Sequence, residues 1–184
     1  MGRPAKFSED QILDAALAIT VESGPGAATM AAIAARLGGP VGSLYHRFGS
    51  RDLLLATLWV RCVRRFQEGF VAAVTAGDVE AAALHTPAWC RRHPAEAAVL
   101  LLYRREELAA GWPAELGAGL GDLNARASAE LKALATARGL GYERLVFALV
   151  DVPYGAVRRY LTRREPPPPS VDELITATCR AVLS

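Results

Sequence analysis

Three side chains that can bind a nucleic-acid phosphate or a base edge stand together in the sequence, at Tyr45, His46 and Arg47. Phenol and imidazole groups donate hydrogen bonds, and the arginine fork pairs with phosphate or with guanine. The nearby Val41 and Ser43 add a side chain that can contact a thymine methyl group and a further hydroxyl. This combination favours recognition of a nucleic acid over catalysis.

The segment that carries these residues is expected to be the second helix of a helix-turn-helix. Thr29 can cap a short helix over 30–37. Gly38 suits the left-handed position after that helix, and Pro40 suits the first position of a helix over 40–47. A short helix, a tight turn and a second short helix are the three parts that this motif needs.

The helix over 40–47 is predicted to have two different faces. Leu44 and Phe48 are four residues apart, so both point to one side, toward a preceding helix over 8–22. The opposite side carries Val41, Gly42, Tyr45 and His46. A polar and aromatic outer face on so short a helix is typical of a recognition helix in the DNA major groove.

The stretch from Ile33 to Leu54, IAARLG followed by GSLYHRFGSRDLL, resembles the signature of TetR-family transcriptional repressors. In that family a helix of the form I-A-x-x-x-G precedes T/S-L-Y-x-x-F-x-x-K-x-x-L. This chain departs from the pattern at Gly39 and Pro40, where the family usually has Val and Ser. It also has Arg51 where the family has Lys, which keeps the charge.

The resemblance implies an all-α fold with a three-helix, helix-turn-helix head and a larger helical body that binds ligand and dimerises. We expect about nine helices, with the DNA-binding domain over 1–49 and the body over 50–184. Carried over residue by residue, the DNA-binding set is Arg3, Lys6, Thr29, Val41, Gly42, Ser43, Tyr45, His46, Arg47 and Arg51. In this set the N-terminal arm reaches the minor groove or its phosphates, and Arg51 contacts phosphate at a helix N-terminus.

The distribution of charge agrees with a DNA-binding head. The 184 residues have a net charge of +2. Residues 1–65 hold eight Lys and Arg against five Asp and Glu, whereas residues 66–184 hold thirteen against fourteen. The basic excess therefore lies in the N-terminal third.

The rest of the chain must bury a large apolar core, because 52% of all residues are hydrophobic. Aromatic and polar residues cluster in the middle of the chain, where the family lines its ligand pocket. A pocket is mostly apolar with a few placed polar groups, but the same residues also suit a plain core. The predicted pocket set is Trp59, Phe66, Trp89, Cys90, His93, Tyr103, Trp112 and Tyr154.

A helix over 142–160 has two apolar stripes, and such a helix is buried on two sides. We expect one side in its own core and the other against a partner subunit. Pro153 should kink this helix, and Ser170 with Glu173 should form a capping box that opens a final helix. The resemblance implies a homodimer through these two helices, with an interface of Leu145, Leu149, Val152, Ala156, Leu174 and Thr178.

Signals of an enzyme or a metal site are weak. Cys90 and His93 lie on one helical face, but a structural zinc needs four ligands and no second pair stands out. Three cysteines are an odd number and fit a reducing compartment. We therefore expect no catalytic residues, no metal and no cofactor.

The sequence predicts a homodimeric repressor that binds a palindromic operator in double-stranded DNA and is released by a small apolar or aromatic effector. An activator, or a regulator without ligand, is an alternative; an all-helical enzyme or carrier is a more distant one. No uncharged apolar run approaches the ~18 residues of a membrane span. Without such a run or a signal core, we expect no membrane partner and a cytoplasmic location.

Overall fold

The computed structural model describes residues 7–104, residue 107 and residues 114–184, without the side chains of residues 114, 115 and 117–120. Every regular element in these ranges is helical, which confirms the predicted all-α class. The helices are α1 (Glu9–Ser23), a 3-10 turn (Pro25–Ala27), α2 (Met30–Leu37), α3 (Val41–Phe48), α4 (Arg51–Thr75), α5 (Val79–Arg92), α6 (Pro94–Leu102), α7 (Ala114–Arg138), α8 (Tyr142–Val146), a π-helical segment (Phe147–Asp151), α9 (Val152–Thr162) and α10 (Ser170–Leu183).

Local signals in the sequence account for the ends of the first helices. Ser8 and Gln11 form a complete capping box at the start of α1. Thr29 caps α2 by accepting a hydrogen bond from the Ala32 N–H at 3.1 Å. Gly38 ends α2 in the left-handed conformation, with φ 65° and ψ 38°, as predicted.

Two predicted helix starts are wrong. Pro40 has extended backbone angles, precedes α3 as its N-cap and is not its first helical residue. Ser170 does not cap α10, because Pro169 already has helical angles and takes the N-cap position. In both places a proline fixes φ one residue away from where the side-chain pattern put the boundary.

The helix expected over 142–160 changes its winding in the middle. α8, the π-helical segment and α9 follow one another with helical backbone angles at each junction. Pro153, just after the π-helical segment, has no N–H to donate to the carbonyl four residues earlier, and its ring crowds that carbonyl. The wider π turn is the local response to the proline that was expected to kink the helix.

The head and the body share apolar packing through α4. Leu54, Leu55 and Leu58 of α4 are fully buried in one cluster with Ile33 and Leu44 of the helix-turn-helix. A second cluster, in the body, is built from α4, α5, α7, α8, the π-helical segment and α10. The predicted boundary after residue 49 therefore passes through a continuous core, and the division into two domains stays a prediction.

Candidate nucleic-acid interface

Helix α3 has one buried face and one exposed face. Leu44 is 0% exposed and packs in the head core, whereas Tyr45 is 51% exposed. Val41 is exposed on the same outer side. A valine and a tyrosine on the surface of an eight-residue helix leave apolar area that a partner can cover.

The structure places all the predicted α3 residues on the outer surface. Val41, Gly42, Ser43, Tyr45, His46 and Arg47 are all exposed. Gly42 has open space around its α-carbon, because an added Cβ would meet nothing within 4 Å. No neighbouring atom in the described chain therefore requires a glycine at this position. The missing side chain lets a ligand approach the α3 backbone closely.

Thr29 and Ser43 differ in whether their hydroxyl groups can still donate a hydrogen bond to a phosphate. Thr29 is exposed and its oxygen accepts the Ala32 N–H, so its own hydrogen can point outward. The Ser43 hydroxyl donates to the Pro40 carbonyl at 2.7 Å. While that bond is made, Ser43 can only accept, and a phosphate needs a donor.

Arg51 has a structural role that the sequence did not indicate. Its Nε donates to the Ala28 carbonyl at 3.0 Å, and one terminal nitrogen donates to the Pro25 carbonyl. The other terminal nitrogen lies 3.3 Å from the Asp52 carboxylate. Arg51 thus ties the start of α4 to the loop between α1 and α2. Its predicted phosphate contact stays a prediction.

Arg3 and Lys6, the predicted arm residues, lie outside the described residues. The head also contains an ion pair that the sequence reasoning did not find. Arg36 contacts both carboxylate oxygens of Glu22 at 2.7 Å. The hydrogen bond to Arg36 lowers the pKa of Glu22.

Residues 12–58 match the sequence profile of bacterial regulatory proteins of the tetR family. The head of the chain therefore matches the N-terminal part of tetR-family regulators. The match covers the helix-turn-helix and the first part of α4, which are the elements that position the exposed face of α3. The DNA-binding head and the family resemblance predicted from the sequence are confirmed.

Solved structures extend the likeness over the whole TetR-family fold. A TetR-family regulator from Marinobacter aquaeolei VT8 has a TM-score of 0.70 and 15% identity, over 95% of this chain and 94% of the other. FadR from Bacillus subtilis, solved with stearoyl-CoA, has a TM-score of 0.70 and 16% identity, over 96% and 98%. A TetR-family structure from Shewanella sp. PV-4 has a TM-score of 0.71 and 18% identity, over 97% of each chain. No curated protein sequence is significantly similar to this chain.

The structure brings only some of the predicted pocket residues together: the Trp89 ring lies 5.2 Å from the Phe66 ring and 5.6 Å from the His93 ring, measured between centroids. Trp59 and Tyr103 pack against the head core, and Trp89 and Cys90 are buried in a separate small cluster. His93 is exposed. Tyr154 is an exposed large residue whose hydroxyl donates to the Leu101 carbonyl at 3.2 Å, and Trp112 lies outside the described residues.

One predicted pocket residue, Phe66, lines a cleft of about 260 Å³ between α4, α5, α7, α8 and the π-helical segment. Polar groups that the sequence did not single out also line it: Gln67, Thr86, Asn124, Ser128 and Tyr142. Gln67 donates to Asn124 at 3.0 Å, and the hydroxyls of Ser128 and Tyr142 are 3.2 Å apart. The described lining contains no charged side chain. It therefore suits a neutral molecule with an apolar part and a few hydrogen-bonding groups.

A second cleft, of about 520 Å³, lies between α1, α5, α6 and the segment after α9. Cys90 and Tyr103 from the predicted pocket line it, together with Val21 of α1. Burial raises the pKa of the Cys90 thiol to about 12, so it stays protonated at neutral pH. A protonated thiol is a poor metal ligand and a poor nucleophile.

The predicted dimer interface is wrong at two positions. Leu145 and Leu149 are both 0% exposed and belong to the core of their own subunit, so they cannot meet a partner. Val152, Ala156 and Thr178 are half-buried, and Leu174 is exposed. Outside the predicted interface, the exposed large hydrophobic residues of these last helices are Phe147, Val150 and Tyr154.

Two further observations concern the other predicted absences. Within residues 7–104, 107 and 114–184, no group of three or more His, Cys, Asp or Glu is placed to hold a metal ion. No helix of the described chain combines the length and the apolar character that crossing a membrane requires.

Proposed function

We propose that the protein is a homodimeric transcriptional repressor whose head, over 1–49, binds a palindromic operator, and whose body, over 50–184, binds a small neutral effector. One observation carries this proposal. Six large hydrophobic side chains are exposed in the described chain, and they fall in two regions. Val41 and Tyr45 are on α3. The other four are on the last helices of the body: Phe147, Val150, Tyr154 and Leu174.

The second region supports a two-fold dimer. Phe147 and Val150 are exposed in the π-helical segment, and Tyr154 is exposed in the first turn of α9. On α10 the exposed positions Leu174, Ala177 and Ala181 follow one another at intervals of three and four residues, which is the spacing of a helix stripe. Two helices from each subunit then form the interface. A two-fold dimer sets two recognition helices about 34–36 Å apart, so that both read one face of the DNA.

The effector site is assigned to the 260 Å³ cleft beside Phe66, together with Phe70, Asn124 and Tyr142. Its walls are uncharged, so a neutral aromatic or apolar molecule enters without leaving a charge unpaired. The π-helical segment forms one wall, and π turns are frequent at functional sites. FadR from Bacillus subtilis was solved with stearoyl-CoA, a larger and charged ligand. The uncharged lining here favours a different ligand class.

Helix α4 joins the cleft to the head. Its 25 residues span about 37 Å at 1.5 Å per residue. Arg61 of α4 contacts the carboxylates of Asp10 and Asp14 on α1 at 3.1 and 2.7 Å. Arg65 contacts the buried Glu96 of α6 at 2.6 Å. A ligand that separates α4 from α7 therefore tilts α4, and the ion pairs make α1 follow.

Nuclease footprinting on the DNA upstream of the gene for this protein tests the DNA-binding proposal. We expect two protected half-sites related by two-fold symmetry and affinity that falls steeply with salt. Arg47→Ala should lower the slope of log affinity against log salt by about 0.9 if it contacts one phosphate. Arg163→Ala, the same charge change at an exposed site in the body, is the control. No protected site and no salt dependence would refute the proposal.

Thermal unfolding with a set of neutral aromatic compounds tests the effector site. A compound that raises the midpoint should also release the operator, and Phe70→Ala should abolish both effects. A transcription assay with the operator upstream of a reporter then separates repression from activation. If the compound stabilises the Phe70→Ala variant equally, it binds elsewhere and the cleft assignment is wrong.

A further inference from the structure

Thr86 of α5 is a buried polar residue whose hydroxyl has no partner in the described part of the chain. Among the described residues, three polar or charged ones are buried: Thr20, Thr86 and Glu96. Thr20 donates to the Ala16 carbonyl at 2.8 Å, and Glu96 pairs with Arg65. Thr86 is 4% exposed, and no described group forms a hydrogen bond with its hydroxyl. A buried polar group without a hydrogen bond is costly, so its presence needs a physical reason.

The hydroxyl of Thr86 also differs from those of other helical threonines. Inside a helix, a threonine hydroxyl reaches the carbonyl four residues earlier. Five helical threonines of this chain make that bond, at 2.7–3.0 Å: Thr20, Thr57, Thr136, Thr162 and Thr178. Thr86 does not bond the Ala82 carbonyl in this way. Its hydroxyl is therefore available to a group outside its own helix.

Thr86 lines the cleft of about 260 Å³ beside Phe66. Its oxygen is not among the described polar atoms that are sealed from solvent without a partner, so it keeps accessible surface, and that surface faces the cleft. Apolar side chains, among them Phe70 and Leu149, line the same cleft and are buried. Asn124, by contrast, is exposed at its rim. The cleft thus combines a buried hydroxyl, apolar walls and an open polar edge.

The aromatic wall of the cleft is held in place from α5. His85, the neighbour of Thr86, has its Nε2 atom 2.8 Å from the Phe66 carbonyl oxygen, and its ring lies 4.9 Å from the Phe66 ring between centroids. The rings of Phe66 and Phe70 are stacked at 6.2 Å. A fixed aromatic wall binds a flat ring with little further loss of side-chain entropy. An apolar cavity of about 150 Å³ already admits benzene, so this cleft has room for a substituted ring.

We propose that Thr86 binds the effector through its hydroxyl, which forms a hydrogen bond with an uncharged oxygen, such as a phenol hydroxyl, at the buried end of a small aromatic molecule. The inference rests on the proposed function, because it specifies the ligand of the cleft assigned there. A threonine hydroxyl both donates and accepts, so it can pair with a hydroxyl in either direction. A methyl group in the same place leaves Thr86 unpaired, which makes this residue a determinant of specificity.

Two probes that differ only by the exchange of a hydroxyl for a methyl group, para-cresol and para-xylene, test the assignment. Equilibrium dialysis gives the ratio of their dissociation constants for each form of the protein. Thr86→Val should reduce the preference for para-cresol by roughly 5- to 150-fold, because the phenol hydroxyl then has no partner. Thr86→Ser keeps the hydroxyl and should retain the preference. Thr20→Val is the matched control, because it makes the same exchange in α1 and should leave the ratio unchanged.

Thermal unfolding without ligand separates a binding role of Thr86 from a structural one. Thr86→Val replaces a hydroxyl that has no described partner by a methyl group, so its midpoint should equal or exceed that of the wild type. Thr20→Val removes the hydrogen bond to the Ala16 carbonyl and should lower the midpoint.

Three results would overturn the role of Thr86. The first is an unchanged ratio of dissociation constants in folded Thr86→Val. The second is a midpoint that falls as far in Thr86→Val as in Thr20→Val. The third is a wild type that does not bind para-cresol. The proposed function is tested separately, by footprinting and by release of the operator with other neutral compounds. A wild type that binds no DNA refutes the repressor, whereas a repressor released by a compound that binds Thr86→Val equally refutes only the role of Thr86.

Discussion

Replacing Leu174 and Leu149 separately by Glu distinguishes the surface of the body from its core. Leu174 is 61% exposed on α10, and Leu149 is 0% exposed in the π-helical segment. We expect Leu174→Glu to fold as a monomer and Leu149→Glu to fail to fold. The two variants carry the same change of side chain, so only its location differs.

The expected size of the effect on dimerisation comes from the exposed area. Complete burial of a leucine side chain contributes about 1.5–3 kcal/mol, so burying the exposed part of Leu174 contributes about 1–2 kcal/mol per subunit. In the proposed two-fold dimer both copies contribute, which gives about 2–4 kcal/mol per dimer. Leu174→Ala removes most of it and should raise the dimer dissociation constant by roughly 30- to 1,000-fold, at about 1.4 kcal/mol per tenfold change. Leu174→Glu adds the cost of removing a charge from water and should leave no dimer at micromolar concentration.

The effect at Leu149 is one of stability. A buried, unpaired carboxylate in place of a packed leucine costs several kcal/mol, which is a large part of the 5–15 kcal/mol that holds a domain together. Circular dichroism should therefore report loss of cooperative unfolding for Leu149→Glu only.

Sedimentation velocity over a range of concentrations measures the dimer directly. Ala137→Glu is the control, because Ala137 is exposed on α7, a helix that contributes no residue to the proposed interface. A dimer that persists in Leu174→Glu at the wild-type dissociation constant would refute the interface. A folded, monomeric Leu149→Glu would show that the sequence pattern placed the interface better than the structure does.

Three further predictions follow from single residues. Gly42→Ala should stabilise α3 by roughly 0.5–1 kcal/mol, measured by urea unfolding. It should nevertheless weaken operator binding, because the added methyl group would stand where the α3 backbone meets DNA. Unchanged operator binding would refute a close approach of the DNA to the α3 backbone. Arg51→Met should destabilise the protein by about 1.5–3 kcal/mol, because it removes charged hydrogen bonds to the Pro25 and Ala28 carbonyls; a variant with normal stability but weak operator binding would restore the simple phosphate role. Burial lowers the pKa of His85, whose Nε2 lies 2.8 Å from the Phe66 carbonyl oxygen. The unfolded chain then binds more protons than the folded chain, so the contribution of His85 to the free energy of unfolding should be complete above about pH 6.5 and decrease as the pH falls through the lowered pKa. His85→Gln should remove this dependence of the free energy of unfolding on pH. An unchanged dependence in the variant would contradict the assignment of the effect to His85.

The head was largely predictable because its signals act over one or two helical turns. Thr29 and Gly38 fulfil their predicted roles at the ends of α2, and each depends on backbone groups within four residues. The alternation of Leu44 and Tyr45 between core and surface follows from helix geometry alone. Arg51 escaped prediction because its backbone partners are 23 and 26 residues away in the chain.

The body was less predictable because its helices are apolar on more than one side. The stripe through Leu145 and Leu149 satisfied the same pattern as an interface, but it lies in the core of the subunit. The π turn before Pro153 changes the angle between residues on either side of it, so a 3.6-residue period cannot relate them. Asn124 and Tyr142 escaped notice because a polar residue on a long helix has no local sign that it faces a cleft.

By itself, the sequence determines the helical class, the ends of α1 and α2, and the outward face of α3, since caps, turns and helix periodicity are local. Only the tertiary structure decides which apolar stripe is core and which is surface, and where Arg51 finds its partners. The physical reason is that burial is a property of neighbours in space. Those neighbours come from residues far apart in the chain, which a periodic pattern does not identify.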